Sequence, residues 1–212
     1  MSEAYSAIVD DVFALYYNPA GVMQLTRPEI GTYYSQLYPG LTDNSKIDRM
    51  FLGYAQPLGK GGRLGGIGAS YMSLQLSGLY KEEAMGLTYG REHRNHRLNY
   101  GASLKMLKKS IGSDEYSNNA IDPTTGASFG GPDPVLAKGT SKSAIGLDLG
   151  AQYRLSQAYA LGVAGRNINS PDLGIDQTDK VPSVLTMAVA RRLRAGSLDF
   201  EVTKWKGAKD VL

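Results

Sequence analysis

Apolar and polar side chains alternate along most of the chain after residue 28, which is the pattern of β-strands that have one apolar face. The alternation is cleanest at residues 144–153, where Ile145, Leu147 and Leu149 are separated by a glycine and an aspartate. Comparable segments predict nine strands, at about residues 29–38, 48–56, 64–76, 80–91, 98–106, 144–153, 159–167, 183–191 and 197–205. We therefore predict an all-β, antiparallel fold for residues 28–212.

Residues 1–27 have a different pattern and form a separate unit in this prediction. Apolar residues recur at helical spacing between Ala4 and Leu15, so a helix is expected over about residues 3–15. Pro19 lacks a backbone N–H and disfavours the helical conformation at Asn18, so the helix should end before the sequence Asn-Pro-Ala-Gly. On the residues alone, an ordinary amphipathic helix with solvated acidic side chains remains possible.

The predicted connections alternate in length. Those near residues 57–63, 91–97, 154–158 and 192–197 are short, and those near 39–47, 111–141 and 167–182 are longer. Outer-membrane β-barrels have short turns at one rim and long loops at the other. Because residues 111–141 contain several glycines and prolines and little periodicity, we expect a long surface loop there.

Several polar side chains fall on the strand face opposite the apolar one. They are Lys105, Asp148, Gln152, Asp199 and Glu201. In a barrel these residues would face the lumen, because a basic residue at mid-bilayer depth on the lipid face costs about 2–4 kcal/mol. We expect them to bind whatever fills the interior.

The composition supports a folded sheet protein. The 212 residues are 42% hydrophobic and 20% charged, which excludes disorder, and 26 glycines with 14 tyrosines suit a curved sheet with aromatic side chains at its boundaries. The absence of cysteine excludes disulfides and thiolate chemistry. A net charge of +3 without a basic helix argues against nucleic-acid binding, and no apolar run is long enough for a transmembrane helix.

The sequence does not indicate an enzyme. The glycines of residues 59–66 lack the spacing of a phosphate-binding loop, and no nucleophile elbow is present. His93 and His96 have no third histidine or thiolate beside them, and the paired acids Glu82 and Glu83 have no neighbour that would orient them. We predict no catalytic residues, no metal and no cofactor.

The chain resembles the FadL-like outer-membrane barrels, which include long-chain fatty acid transporters and the PorV-like proteins of secretion machinery. In these families an alanine-rich plug helix ends in Asn-Pro-Ala-Gly just before the first strand. The matching residues are Ala7, Asp10, Asp11, Ala14, Asn18, Pro19, Ala20 and Gly21, and a second match is the PorV-like run from Arg166 to Gly174. The resemblance implies a transmembrane barrel with a short helical plug in residues 1–27.

The chain differs from the FadL-like barrels in its number of predicted strands and at its N-terminus. FadL-like barrels have about fourteen strands, whereas nine are predicted here, so either strands are missing from the chain at its C-terminus or another element closes the barrel. The chain opens Met1-Ser2-Glu3 without a signal peptide, so we expect either that a leader has been removed or that the sequence is a recombinant form made without one.

Two functions follow from the resemblance. The first, which the PorV-like matches favour, is a structural or partner-docking barrel whose loop 111–141 binds secreted or surface proteins. The second is a passive transporter of hydrophobic molecules, gated by Asp10, Asp11 and the Asn18–Gly21 motif. Both imply a multi-pass outer-membrane location, contact with lipid, and a hydrophobic ligand or lipid in the lumen. A soluble β-sandwich is the alternative that the alternation alone permits.

Overall fold

The computed structural model describes residues 5–40, 42, 45–59, 62–94, 96–112, 121–122, 124–128, 136, 139–194 and 196–206. The N-terminal segment, residues 5–27, contains a short helix α1 (Ala14–Tyr17) and a 3₁₀ helix (Pro19–Gln24). Nine strands follow: β1 (Glu29–Leu37), β2 (Ile47–Leu58), β3 (Gly65–Leu76), β4 (Tyr80–Glu92), β5 (Leu98–Ile111), β6 (Ser141–Arg154), β7 (Tyr159–Arg166), β8 (Ser183–Leu193) and β9 (Gly196–Lys206).

All nine strands belong to one antiparallel sheet in which each strand pairs with the next along the chain. The predicted all-β antiparallel fold is confirmed, and no strand boundary outside β5 differs from the prediction by more than three residues. The sheet order runs from β1 to β9 without a pairing between these two strands, so the sheet is open. Since the described strands form a single sheet, the β-sandwich alternative is wrong.

The sheet curves around the N-terminal segment. Val12 packs against Gly31 of β1, and the backbone N–H of Tyr5 donates to Glu201 of β9. The outer strands of a flat nine-stranded sheet would lie about 38 Å apart, whereas seven extended residues span at most about 25 Å. A segment that reaches both edges therefore requires strong curvature.

Eight of the nine strands expose large apolar side chains on the outer, convex face. The exposed members are Ile30, Tyr34, Leu52, Tyr54, Met85, Leu87, Tyr89, Tyr100, Leu104, Met106, Ile145, Leu149, Val163, Leu185, Met187, Val189, Leu198, Phe200 and Val202. We call this set the convex apolar face. Ile145, Leu149 and Val163 are exposed as predicted, while Leu147 and Leu161 are half-buried.

The core lies between the concave face of the sheet and the N-terminal segment. Its largest cluster joins Val9, Val12, Leu15 and Val22 of the segment to Phe51 of β2. A second cluster packs Ala7 and Ile8 against alanines of β8. The fold therefore buries its apolar interior against one irregular segment instead of a second sheet.

The predicted helix over residues 3–15 is wrong for most of its length. Residues 6–8 form a turn, and the only α-helical residues described are Ala14–Tyr17. A helix at the predicted spacing would bury one stripe, but Ala7, Ile8, Val9 and Val12 are all buried because the sheet curves around the segment. The backbone of this segment follows the surface of the sheet.

Most of the predicted loop 111–141 lies outside the described residues. What is described includes an isolated antiparallel bridge between Ile121 and Ser128. The strands on either side extend further than predicted, since β5 continues to Ile111 and β6 begins at Ser141. The connection at residues 167–182 contains a second bridge, between Asp172 and Lys180.

Candidate functional site

Asn18 lies at the centre of the concave side and is fully buried. Its Nδ2 donates to the carbonyl oxygen of Ser6 at 2.8 Å and to that of Ala151 in β6 at 3.2 Å. Its Oδ1 accepts from the backbone N–H of Ala20 at 3.1 Å, which caps the 3₁₀ helix, and Pro19 occupies the first helical position where no donor is needed. Asn18 thus joins the N-terminal segment to itself and to the sheet.

Glycines of the sheet make room for the Asn-Pro-Ala-Gly backbone. A Cβ added at Gly150 of β6 would lie 2.0 Å from Asn18 Oδ1, and one added at Gly101 of β5 would lie 2.4 Å from the carbonyl oxygen of Pro19. Gly21 itself could not carry a side chain, because its Cβ would lie 2.6 Å from the carbonyl oxygen of Val9. The motif and the glycine-rich strands are therefore complementary surfaces.

Asp10 and Asp11 lie at the rim of this arrangement. Asp11 Oδ1 accepts from the backbone N–H of Phe13 at 2.9 Å, which stabilises the turn that leads into α1. The hydroxyl of Tyr5 donates to Asp11 Oδ2 at 3.2 Å and to Asp10 Oδ1 at 3.4 Å. Burial, and then the charges of Asp11 and Asp10, raise the pKa of Tyr5 well above its usual range. Both acids thus fix the local conformation.

Two of the predicted inward-facing residues bind the N-terminal segment. Gln152 Nε2 donates to the carbonyl oxygens of Ser6 at 3.2 Å and Val9 at 3.3 Å, and its Oε1 accepts from Gln24 Nε2 at 2.8 Å. Glu201 Oε2 accepts from the backbone N–H groups of Tyr5 and Ser6, both at 3.2 Å. These contacts satisfy backbone groups that an irregular segment cannot pair internally.

The other three inward-facing residues do not contact the segment. Lys105 Nζ and Asp148 Oδ2 form an ion pair at 2.7 Å, and both side chains are largely buried. Asp148 also accepts from the backbone N–H of Asn167 at 2.8 Å. Asp199 Oδ2 accepts from Ser197 Oγ at 2.9 Å, while its Oδ1 is buried without a partner among the described residues.

A cavity of about 550 Å³ opens on the concave face next to α1. Its apolar lining includes Phe51, Met72, Leu74, Leu107, Leu173 and Val184, together with Trp205. Its polar wall includes Arg49 of β2 and Arg166 at the end of β7, which both contact Tyr16 of α1. This cavity was not predicted from the sequence, although Arg166 begins the run from Arg166 to Gly174 that carried the PorV-like resemblance.

Tyr16 lies between the two guanidinium groups. The Cζ atoms of Arg49 and Arg166 lie 5.7 and 5.0 Å from the centroid of its ring, and Arg49 Nη2 donates to the Tyr16 hydroxyl at 3.1 Å. Burial alone would raise the pKa of Tyr16, but the positive charges of Arg166 and Arg49 outweigh burial and lower it. The two guanidinium groups therefore favour the ionised form of the Tyr16 hydroxyl.

Metal binding has no support in the part of the chain that the structure describes, where no three potential ligands come together. His96 Nδ1 instead contacts Glu92 Oε2 at 2.7 Å. The helices of the described residues include none that is long and apolar enough to cross a membrane.

A family model described as "F plasmid transfer operon, TraF, protein" matches residues 73–198, which is more than half of the chain. The chain belongs to this TraF family. A search of curated proteins found no match.

The TraF match corrects the sequence-based identification. The assignment to the FadL-like and PorV-like barrels is wrong, and so are the two functions drawn from it, partner docking in a secretion assembly and passive transport of hydrophobic molecules. The physical reason for the wrong assignment is that both sequence patterns behind it describe local structure. Asn-Pro-Ala-Gly encodes a capped 3₁₀ turn, and alternation encodes amphipathic strands, so neither is restricted to one family.

Proposed function

We propose that this TraF-family protein acts in conjugative DNA transfer from within the outer membrane, with its convex apolar face against lipid and its N-terminal segment filling the concave side. The function in conjugation rests on the family. The membrane placement rests on one observation, the exposure of large apolar side chains on eight of the nine strands.

The extent of the convex apolar face supports contact with lipid. Soluble monomers rarely expose contiguous apolar patches larger than a few hundred Å², yet Leu87, Leu104 and Phe200 are 68%, 57% and 69% exposed on three different strands. From Ile145 to Tyr153, β6 alone extends for about 26 Å. With the usual tilt, that length approaches the apolar band of about 25 Å in outer-membrane strands.

Tyrosines at one end of this face support the same placement. Five tyrosines, each on a different strand, lie near the short connections: Tyr54, Tyr89, Tyr100, Tyr153 and Tyr159. The strand register brings several of them close to one another across the sheet. Aromatic girdles mark the level at which membrane barrels meet the lipid headgroups. A tyrosine hydroxyl can reach water there while the ring stays in apolar surroundings.

The open edges imply further strands. Backbone groups at the outer edges of β1 and β9 would remain unpaired in hydrocarbon, which costs several kcal/mol for each group. The buried, unpartnered Oδ1 of Asp199 lies on β9, next to one of these edges. We propose that additional antiparallel strands pair with both edges and close the wall.

Single cysteines test the membrane placement cleanly, because the natural sequence has none. Leu87→Cys and Leu149→Cys place a thiol on the convex apolar face, and Gln157→Cys places one in a short exposed connection. In membranes, a water-soluble maleimide should label the Gln157 variant and spare the other two until the protein is denatured. Rapid labelling of all three would contradict lipid contact and would favour a periplasmic protein.

A mating assay tests the role in conjugation. Deleting the coding sequence in the native donor should lower the transfer frequency, and supplying the protein in trans should restore it while plasmid copy number stays constant. An unchanged transfer frequency would contradict the proposed role.

A further inference from the structure

The charges around the cavity next to α1 do not balance. Lys105 pairs with Asp148 at 2.7 Å and Lys109 with Asp179 at 2.5 Å, so these four charges are neutralised locally. A third acidic residue of the lining, Glu83, forms an ion pair at 2.8 Å with Lys81, which lies outside the lining.

Arg49 and Arg166 remain without a carboxylate partner among the described residues. Both side chains are half-buried, where a cation loses part of its hydration. Glu82, the remaining acidic residue of the lining, is exposed and accepts from the hydroxyl of Tyr80. The cavity therefore keeps an excess of positive charge at one place.

The aromatic contacts account for only part of this arrangement. The ring of Tyr16 attracts both guanidinium groups but carries no net charge in its neutral form. Each guanidinium has five N–H donors in a planar fork, and the described hydrogen bond from Arg49 to the Tyr16 hydroxyl uses one of them. Donors on both groups are left for a ligand.

We propose that this cavity binds an oxyanion, a carboxylate or a phosphate, that is carried on an apolar body. Arg49 and Arg166 hold the oxyanion beside Tyr16, and Phe51, Met72 and Leu107 surround the apolar part. Guanidinium groups bind carboxylates and phosphates in bidentate geometry, and a cavity of about 550 Å³ is of the size that holds small molecules. This binding site does not depend on the membrane placement or on a role in conjugation.

Trp205 provides a direct readout, since it lines the cavity and is the sole tryptophan of the sequence. The purified full-length chain is titrated with 4-cyclohexylbutanoate, which does not absorb at the excitation wavelength, while the fluorescence of Trp205 is recorded. 4-Cyclohexylbutyl phosphate and 4-cyclohexylbutan-1-ol, which carry a matching apolar body, are titrated in parallel. Saturable binding of the carboxylate or the phosphate ester, at least about tenfold tighter than binding of the alcohol, supports the proposal, and the tighter of the two anions identifies the preferred headgroup.

Substitutions test whether Arg49 and Arg166 bind the anion. Arg49→Gln and Arg166→Gln should each weaken anion binding by about tenfold or more, and Arg166→Lys, which keeps the charge but not the fork, should give an intermediate loss. The matched control is Arg91→Gln, at an exposed position of β4 outside the cavity, which should bind as the wild type does.

Three results would overturn the proposal: no saturable binding of either anion, equal binding of the alcohol, or equal losses in the Arg91 control and the cavity variants. Thermal unfolding curves recorded on each variant separate loss of binding from loss of folding. If Arg166→Gln does not fold, Arg49→Gln and Arg166→Lys decide the outcome.

Discussion

Replacing Gly150 by alanine is the sharpest perturbation of the contact between the N-terminal segment and the sheet. The new Cβ would lie 2.0 Å from Asn18 Oδ1 and 2.8 Å from Cδ of Pro19. Restoring an ordinary separation of about 3.4 Å requires Asn18 to move by about 1.4 Å, which would break its 2.8 Å hydrogen bond to Ser6.

The loss in the free energy of unfolding expected for Gly150→Ala has two contributions. Overpacking a close-packed interior costs about 1–3 kcal/mol, and each buried hydrogen bond that Asn18 loses costs about 0.5–1.5 kcal/mol more. The expected loss in the free energy of unfolding is roughly 2–5 kcal/mol. Gly196→Ala is the matched control, because no atom lies within 4 Å of its Cβ position and its φ is not positive, so we expect a change below about 0.5 kcal/mol.

Urea unfolding followed by circular dichroism measures both variants. A double-mutant cycle adds Asn18→Ala, which removes the clashing oxygen, so the additional cost of Gly150→Ala should shrink in that background. Equal stability of the Gly150 and Gly196 variants, or an unchanged cost in the Asn18→Ala background, would refute the packing argument.

Three further predictions concern the charged and titratable groups. Lys105→Met should destabilise the protein by about 3–5 kcal/mol because it leaves Asp148 buried and unpaired, whereas combining it with Asp148→Leu should recover much of the loss in urea unfolding. Glu201→Gln should weaken the anchor on residues 5 and 6, so amide hydrogen exchange there should accelerate while exchange in β4 and β5 stays unchanged; equal rates in both proteins would contradict the anchor. The pKa of Tyr16 is lower in the folded state than in the unfolded state, so its ionisation stabilises the fold. This stabilisation is fully present above the unfolded-state pKa, near 10, and is lost as the pH falls through the lowered folded-state pKa. The stability of the wild type relative to Tyr16→Phe should therefore grow between pH 8 and 11, and a flat difference would show that the guanidinium groups do not act on this ring.

The strands were predictable because each carries its own signal. In β6, apolar residues point outward at every second position and small or polar ones point inward, so register and facing both follow from residues within one segment. The same holds for Gln152 and Glu201, because parity along β6 and β9 fixes their inward facing. Both side chains contact the N-terminal segment.

The N-terminal conformation and the cavity were not predictable in the same way. The apolar spacing of residues 4–15 fits a helix, but the curved sheet buries consecutive residues of the segment, such as Ala7, Ile8 and Val9, and removes the advantage of a one-sided stripe. The cavity joins Arg49, Tyr16 and Arg166 from three elements far apart in sequence, so no local pattern reveals it. The family was misassigned because a short capping motif and alternating strands report local geometry and not ancestry.

Lipid quenching of a single tryptophan tests the central claim most directly. In a Trp205→Phe background, Leu149→Trp places the fluorophore on the convex apolar face, and Gln157→Trp places it in an exposed connection. After reconstitution into vesicles with brominated acyl chains, we expect strong quenching at position 149 and weak quenching at position 157. Equal, weak quenching at both positions, with protein recovered from the aqueous phase without detergent, would contradict contact between this face and the membrane.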